Sequence, residues 1–276
     1  MNSSQNPILQ SRATINPYRS AVGLVRDRLM WDVRPESWRS RAILKTLHDS
    51  QAGKRAVILC NGPSLNKVDF ELLRGTYCFG LNKINLLFER TDFRPNAIVS
   101  VNRFVIEQNA DFFNSTDLQM FIGKVGLGLV RARKNVAFLQ SANIPRFARD
   151  ISISCYEGHT VTYVALQLAF HMGFRDVALV GADHTFASKG PANMTVTAGD
   201  IDESHFDPRY FSGGVQWQLP DLFQSEVAYT MARDTYAAFG GRVVNATEGG
   251  NLEVFTRMSL DAFVRLEVRQ LENKSV

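Results

Sequence analysis

Short runs of aliphatic and β-branched residues alternate along this chain with amphipathic stretches and turn residues. Arg55-Ala-Val-Ile-Leu-Cys60 has the composition of a buried strand. The same pattern predicts strands over 76–81, 96–101, 118–123, 176–180 and 242–245. Between them, helical patterns fall over 67–73, 83–89, 103–112, 221–239 and 258–272. The strongest helical pattern runs from Thr160 to Met172 and closes at Gly173. Residues 124–158 are less regular. Strand and helix in alternation predict an α/β domain with a mostly parallel sheet, wound by right-handed crossovers with helices on both faces.

Three of the strands end in Asn at the point where a helical pattern begins. Asn61-Gly62-Pro63-Ser64-Leu65 follows the first, Asn82 ends the second and Asn102 the third. Gly-Pro enforces a turn, and Ser64 is placed to cap the helix predicted from Asn66. A strand, a Gly turn and a helix start together offer backbone N–H groups to an anion. The segment is neither a Walker loop nor a dinucleotide fingerprint. Ligands of open parallel sheets bind beyond the carboxyl ends of the strands. Asn reads hydroxyls, base edges or phosphate oxygens without adding charge. One such Asn reads as a helix cap; three on one rim read as a binding site.

Charge changes the picture at the N-terminus. Residues 1–50 hold eight Lys/Arg against four Asp/Glu, and residues 51–276 hold 23 of each. The stretch from Tyr18 to His48 mixes Trp31, Trp38 and aliphatics with Arg, and Pro35 divides it. It reads as a basic helical arm docked on the body; the competing reading is an arm that touches an anionic membrane surface. Residues 49–54 form the linker to a domain over 51–276. No run reaches the ~20 apolar residues of a membrane span, and the first residues lack an apolar signal core. The expectation is a cytoplasmic protein; on the competing reading the arm is its contact to the inner face of the membrane. Cys60, Cys78 and Cys155 lie in or beside apolar runs and read as buried reduced thiols.

Residues 186–220 show no regular pattern. A stretch of this length inside a domain is a lid or is disordered, and its aromatics favour a lid. It carries Ser204-His205-Phe206-Asp207 and Tyr210. Asp200-Ile201-Asp202 matches the metal-binding Asp-x-Asp in form, and the favoured reading is a solvated loop. Glu107 and His159 are further acid/base candidates, with His159 also able to cap a helix.

In order and spacing, these segments resemble the bacterial sialyltransferases of glycosyltransferase family 42. The resemblance rests on Ile58-Leu-Cys-Asn-Gly-Pro-Ser-Leu65, Asn82, Val101-Asn102-Arg-Phe-Val-Ile-Glu-Gln108, Met172-Gly-Phe174, Gly181-Ala-Asp183 and Ser204-His205. It spans residues 55 to about 210. Gly-Pro-Ser-Leu segments also occur in flagellin-glycosylation factors and in pterin diphosphokinase-like proteins, so the resemblance extends to that wider superfamily. It implies a Rossmann-like domain that binds a CMP-activated nonulosonic acid, of the sialic acid or Kdo type. The acceptor would be a glycan or glycolipid in polysaccharide biosynthesis. Asn61, Gly62, Pro63 and Ser64 would lie near the donor phosphate. Asn82 and Asn102 would contact phosphate, ribose or sugar. His205 would be the general base, and Asp183 would organise the site.

The family's tyrosine two residues beyond this Asp is replaced by Thr185, beside His184. The lid tyrosine is also missing, which leaves Tyr210 or His184 to meet the leaving phosphate. The family's Thr-Ser-Gly is here Thr160-Val161-Thr162. Inverting transfer needs a base for the acceptor proton and fixed donors for the phosphate oxygens. An imidazole suits the first task, and neutral donors make a metal unnecessary for the second, so no cofactor is expected. No nucleic-acid partner is expected, and a homo-oligomer is left open. The alternatives are a pterin-type diphosphotransferase, which needs ATP and metal, and a degenerate nucleotide-binding module of a polysaccharide-assembly complex.

Overall fold

The apolar runs pair side by side as one sheet in a computed structural model that describes residues 16–185 and 190–266. Its strands are β1 (Arg55–Leu59), β2 (Tyr77–Leu81), β3 (Ala97–Ser100), β4 (Gln119–Gly123), β5 (Val136–Leu139), β6 (Asp176–Val180), β9 (Arg242–Asn245) and β10 (Thr256–Arg257). A separate antiparallel pair joins β7 (Thr195–Thr197) to β8 (Gln216–Gln218). The main sheet has the order β10-β9-β6-β1-β2-β3-β4-β5, and every pair in it is parallel. The chain winds from β1 outward to β5, then returns to place β6 on the other side of β1. The order therefore reverses between β1 and β6, where open α/β sheets bind their ligands.

Side chains alternate across each strand, so burial on both faces produces two apolar layers. Ala56, Ile58 and Cys60 face one layer, with α5 (Val161–His171) and α6 (Leu222–Ala238) packed over it. Val57 and Leu59 face the other, which holds Ile84, Val105 and Phe263. That layer is built from shorter pieces than the sequence pattern predicts. The helix expected over 67–73 is two 3-10 turns, Pro63–Lys67 and Phe70–Leu73, divided where the Asp69 carboxylate accepts the Glu71 amide at 3.0 Å. The helix expected over 83–89 is a 3-10 turn, Ile84–Glu89. The one over 103–112 is broken at Asn109 into α3 (Arg103–Gln108) and α4 (Ala110–Ser115). The last helix is α7 (Leu260–Arg265), whose terminal carbonyls are met by the Arg55 guanidinium. Its predicted continuation over 267–272 lies outside the described residues, as do residues 1–15 of the arm and 186–189 of the lid.

The arm folds as α1 (Pro17–Asp32) and α2 (Pro35–Leu47), each opened by a proline at its first position. It wraps the open edge of the sheet at β5. Trp31 enters one apolar layer and Leu44 the other. The Ser40 hydroxyl accepts the Phe138 amide at 2.8 Å and so satisfies a donor on the edge strand. No helix among the described residues is long and apolar enough to cross a membrane.

The stretch expected to be an irregular lid holds a strand pair where it is described. Beyond the β7–β8 pair, Phe206, Tyr210, Phe211, Trp217 and Leu219 are buried in the apolar layer beneath the rim. Cys60, Cys78 and Cys155 are buried free thiols, and desolvation pushes the first two up to about 12.

Candidate active site

β1 and β6 end side by side, and two glycines let their extensions cross closely. The Gly62 amide donates to the Gly181 carbonyl at 2.9 Å. A Cβ at Gly62 would lie 1.9 Å from Asp183 Oδ2, and one at Gly181, where φ is +70°, would lie 2.7 Å from the Cys60 carbonyl oxygen. Asp183 Oδ2 then accepts the Ser64 hydroxyl at 2.7 Å and the Ser64 amide at 3.2 Å. This corrects two expectations. Ser64 does not cap a helix, and the turn does not hold its amides open for an anion, because a carbonyl and a carboxylate of the β6 extension already accept the Gly62 and Ser64 amides.

On one side of this clamp lies a cleft of about 420 Å³. It brings together Asn61, Gly62, Asn82, Asn102, Thr160, Asp183, His184, Thr185, His205 and Tyr210, all expected from the sequence. Pro63 and Ser64 are not among its lining residues; Ser64 faces a second cavity of about 480 Å³ on the far side of the clamp.

The three rim asparagines have different jobs. The Asn102 side chain caps α3, accepting the Phe104 amide at 2.9 Å, and its Nδ2 donates to Gln218 of β8 at 3.4 Å. Asn82 takes a left-handed backbone, φ +51°, and accepts the Ser100 hydroxyl at 3.2 Å. The Asn61 carbonyl accepts the Phe206 amide at 2.9 Å and pins the lid to the rim. Its side-chain Oδ1 is buried without a hydrogen-bond partner among the described residues.

The base candidate sits on that pinned segment. His205 Nδ1 lies 2.8 Å from Asp202 Oδ2, and both side chains are largely buried. Asp202 also accepts the Ser204 amide at 2.8 Å and the Phe211 amide at 3.0 Å. Burial works to raise the Asp202 pKa, but hydrogen bonds and the charge of His205 hold it below the usual carboxylate range. The Asp200-Asp202 pair is thereby divided: Asp200 is exposed, while Asp202 is the partner of His205. The Asp207 carboxylate turns elsewhere, toward Arg209 at 3.0 Å and Arg90 at 3.4 Å.

The His205 ring stacks on Tyr210, with centroids 4.0 Å apart and planes 3° from parallel. Tyr210 is only 1% exposed, so it is a platform for the imidazole. Beneath the stack lies Lys83, a buried cation that the sequence pattern does not flag. Its ammonium donates to the Tyr210 carbonyl at 2.5 Å and to Gln108 at 2.8 Å, and sits 4.9 Å from the Phe211 ring centroid. Desolvation lowers its pKa to about 8, against the pull of Asp202.

Across the cleft, Gly158 and His159 are both left-handed, at φ +58° and +59°, and turn Glu157 and His159 toward the ligand space ahead of α5. The Thr160 side chain, not that of His159, caps the helix, accepting the Thr162 amide at 3.3 Å. Burial pushes the Glu157 carboxyl up against hydrogen bonding from Ser141 and the charge of His159. His184, also left-handed, places Nε2 2.9 Å from Glu226, and His159 Nδ1 lies 3.7 Å from Asp221. Each cleft histidine thus has a carboxylate beside it. Among the described residues no Lys or Arg lines the cleft, and no group of three His, Cys, Asp or Glu is arranged to hold a metal.

A parallel sheet with a cleft at its switch point defines a Rossmann-like α/β protein. A family model described as 6-hydroxymethylpterin diphosphokinase MptE-like matches residues 36–189, and the chain belongs to that family. Among solved structures the fold is similar to the MAf glycosyltransferase from Magnetospirillum magneticum AMB-1, at a TM-score of 0.50 and 15% identity. The likeness covers 82% of this chain and 38% of that one. No curated protein matches the sequence. The wider superfamily suggested by the Gly-Pro-Ser-Leu segment is therefore supported, whereas sialyltransferases as such are not singled out.

Proposed function

We propose that this chain is a glycosyltransferase that moves a nonulosonic acid from a CMP-activated donor to a glycan or glycolipid hydroxyl, with inversion. The observation that carries the reading is the Asp202–His205 pair, set rigidly over Tyr210 on the wall of the switch-point cleft. An ionised carboxylate accepting from Nδ1 fixes the tautomer and leaves Nε2 as the basic nitrogen. His205 takes the acceptor proton as its oxygen bonds to the anomeric carbon. The bond from that carbon to the phosphate oxygen breaks, and CMP leaves with the electron pair. His184, backed by Glu226, is the group best suited to meet the departing phosphate, with Thr185, Thr160, Asn61 and Asn82 as neutral donors. Asp183 holds the two strand ends that shape the floor. The likeness to a glycosyltransferase fold is consistent with this chemistry and does not specify the donor.

The family description favours a second reading, diphosphoryl transfer to a pterin from ATP. Calorimetry on EDTA-treated protein separates the two. The glycosyltransferase reading expects CMP to bind without metal. Binding of ATP only with Mg, together with no response to CMP, would overturn it.

A further inference from the structure

We propose that α1 docks this chain onto an anionic phospholipid bilayer through the face it turns away from the sheet. The proposal is independent of which reaction the cleft performs.

The inner face of α1 is fixed by Trp31, buried in the apolar layer, and by Asp27, which accepts Lys124 at 2.6 Å and Gln140 at 2.7 Å. The opposite face carries Tyr18, Val22, Val25 and Leu29, at spacings of four, three and four that stack them in one stripe. They are 82%, 68%, 59% and 59% exposed. Val33 and Trp38 extend the stripe past the end of the helix at 66% and 61% exposure. Scattered single apolar residues on a surface are ordinary, but a continuous stripe marks an interface.

Charge selects the occupant. Arg19 and Arg26 flank the stripe, are exposed, and make no ion pair among the described residues. Both carboxylates of α1 are engaged on the protein: Asp27 as above, and Asp32 by Arg28 at 2.8 Å and by Arg41. The outward face is therefore aliphatic, aromatic and cationic, with no acidic group of its own. A second copy would bring the same arginines against each other. An anionic bilayer satisfies both features: aliphatic side chains and Trp38 enter the headgroup boundary while the arginines meet lipid phosphates.

The test is cosedimentation of the full chain with phosphatidylcholine vesicles, with and without phosphatidylglycerol. Binding is expected only to the anionic vesicles, weakening as salt is raised. Val22→Glu with Leu29→Glu changes only exposed positions and should leave the thermal midpoint unchanged while lowering partitioning at least about tenfold. Arg26→Ala should lower it about fivefold. The proposal is overturned if anionic vesicles do not bind, or if the double variant binds them undiminished. It is also overturned if sedimentation velocity finds a dimer that the double variant dissolves, which would assign the face to a second copy.

Discussion

The two walls of the switch point contrast. The Asn61–Ser64 turn has the sequence of an anion-binding loop, yet it is an internal clamp whose amides are held by Gly181 and Asp183. Residues 186–220 read as an irregular lid, yet the described ones carry a buried Asp–His pair on an aromatic platform over a buried lysine. The difference lies in what answers each polar group. Turn amides are available to a ligand only when no side chain reaches them, and a carboxylate from the next strand reaches these. A loop without regular hydrogen bonding is held in place when its aromatics enter a core and a buried carboxylate ties its amides.

Removing the platform should have the largest effect. Tyr210→Ala takes a fully buried ring from under His205 and should cost about 4 kcal/mol in urea unfolding; Tyr210→Phe keeps the ring and should cost under about 1 kcal/mol. Equal losses would mean that the hydroxyl, not stacking, supports the segment. Next comes the clamp. Asp183→Ala strands the Ser64 amide and hydroxyl and should cost about 3 kcal/mol. It also removes the carboxylate that a Cβ at Gly62 would strike. Gly62→Ala should therefore be less harmful in the Asp183→Ala background than alone. Additive losses would show that the close approach of the two chains, not the carboxylate, is what demands glycine.

Lys83 gives a smaller, pH-dependent effect. Its pKa falls from 10.5 to about 8 on folding. Above 10.5 both states are neutral, and below about 8 both are charged, the folded one in the less favourable setting. Between those values the unfolded state binds more protons, so stability should rise with pH. The gain should be about 3 kcal/mol across the window. Chemical denaturation at several pH values measures it, and Lys83→Met should flatten the slope. An unchanged slope in that variant would place the titration elsewhere.

Much of the fold is legible in the sequence because continuous apolar runs mark β1, β2, β3, β4, β6 and β9, and the alternation fixes a parallel sheet. β5 is missed because Val136–Leu139 is a short run beside Arg131, Arg133 and Lys134, and its edge position is covered by an arm about a hundred residues earlier in the chain, as the Ser40–Phe138 bond records. The cleft is legible as a set of strand-end residues, and ten of the expected residues line it. Their individual bonds are not, since Asp183 meets Ser64 and Lys83 meets Tyr210 only through the tertiary fold. Asp202 carries a local signal, three residues ahead of His205, but its bond to the Phe211 amide and the packing of Phe211 and Trp217 on the His205 ring come only with the tertiary fold.

In the proposed reaction the Asp202–His205 pair supplies the base. The most direct measurement compares single-turnover transfer from a CMP-sugar by the native chain, His205→Ala and His184→Ala across pH. His205→Ala should bind CMP with nearly native affinity but transfer about 10²–10⁴-fold more slowly, while His184→Ala should weaken departure of the phosphate and retain the dependence on a base. Transfer that survives in His205→Ala and disappears in His184→Ala would contradict this assignment of the base.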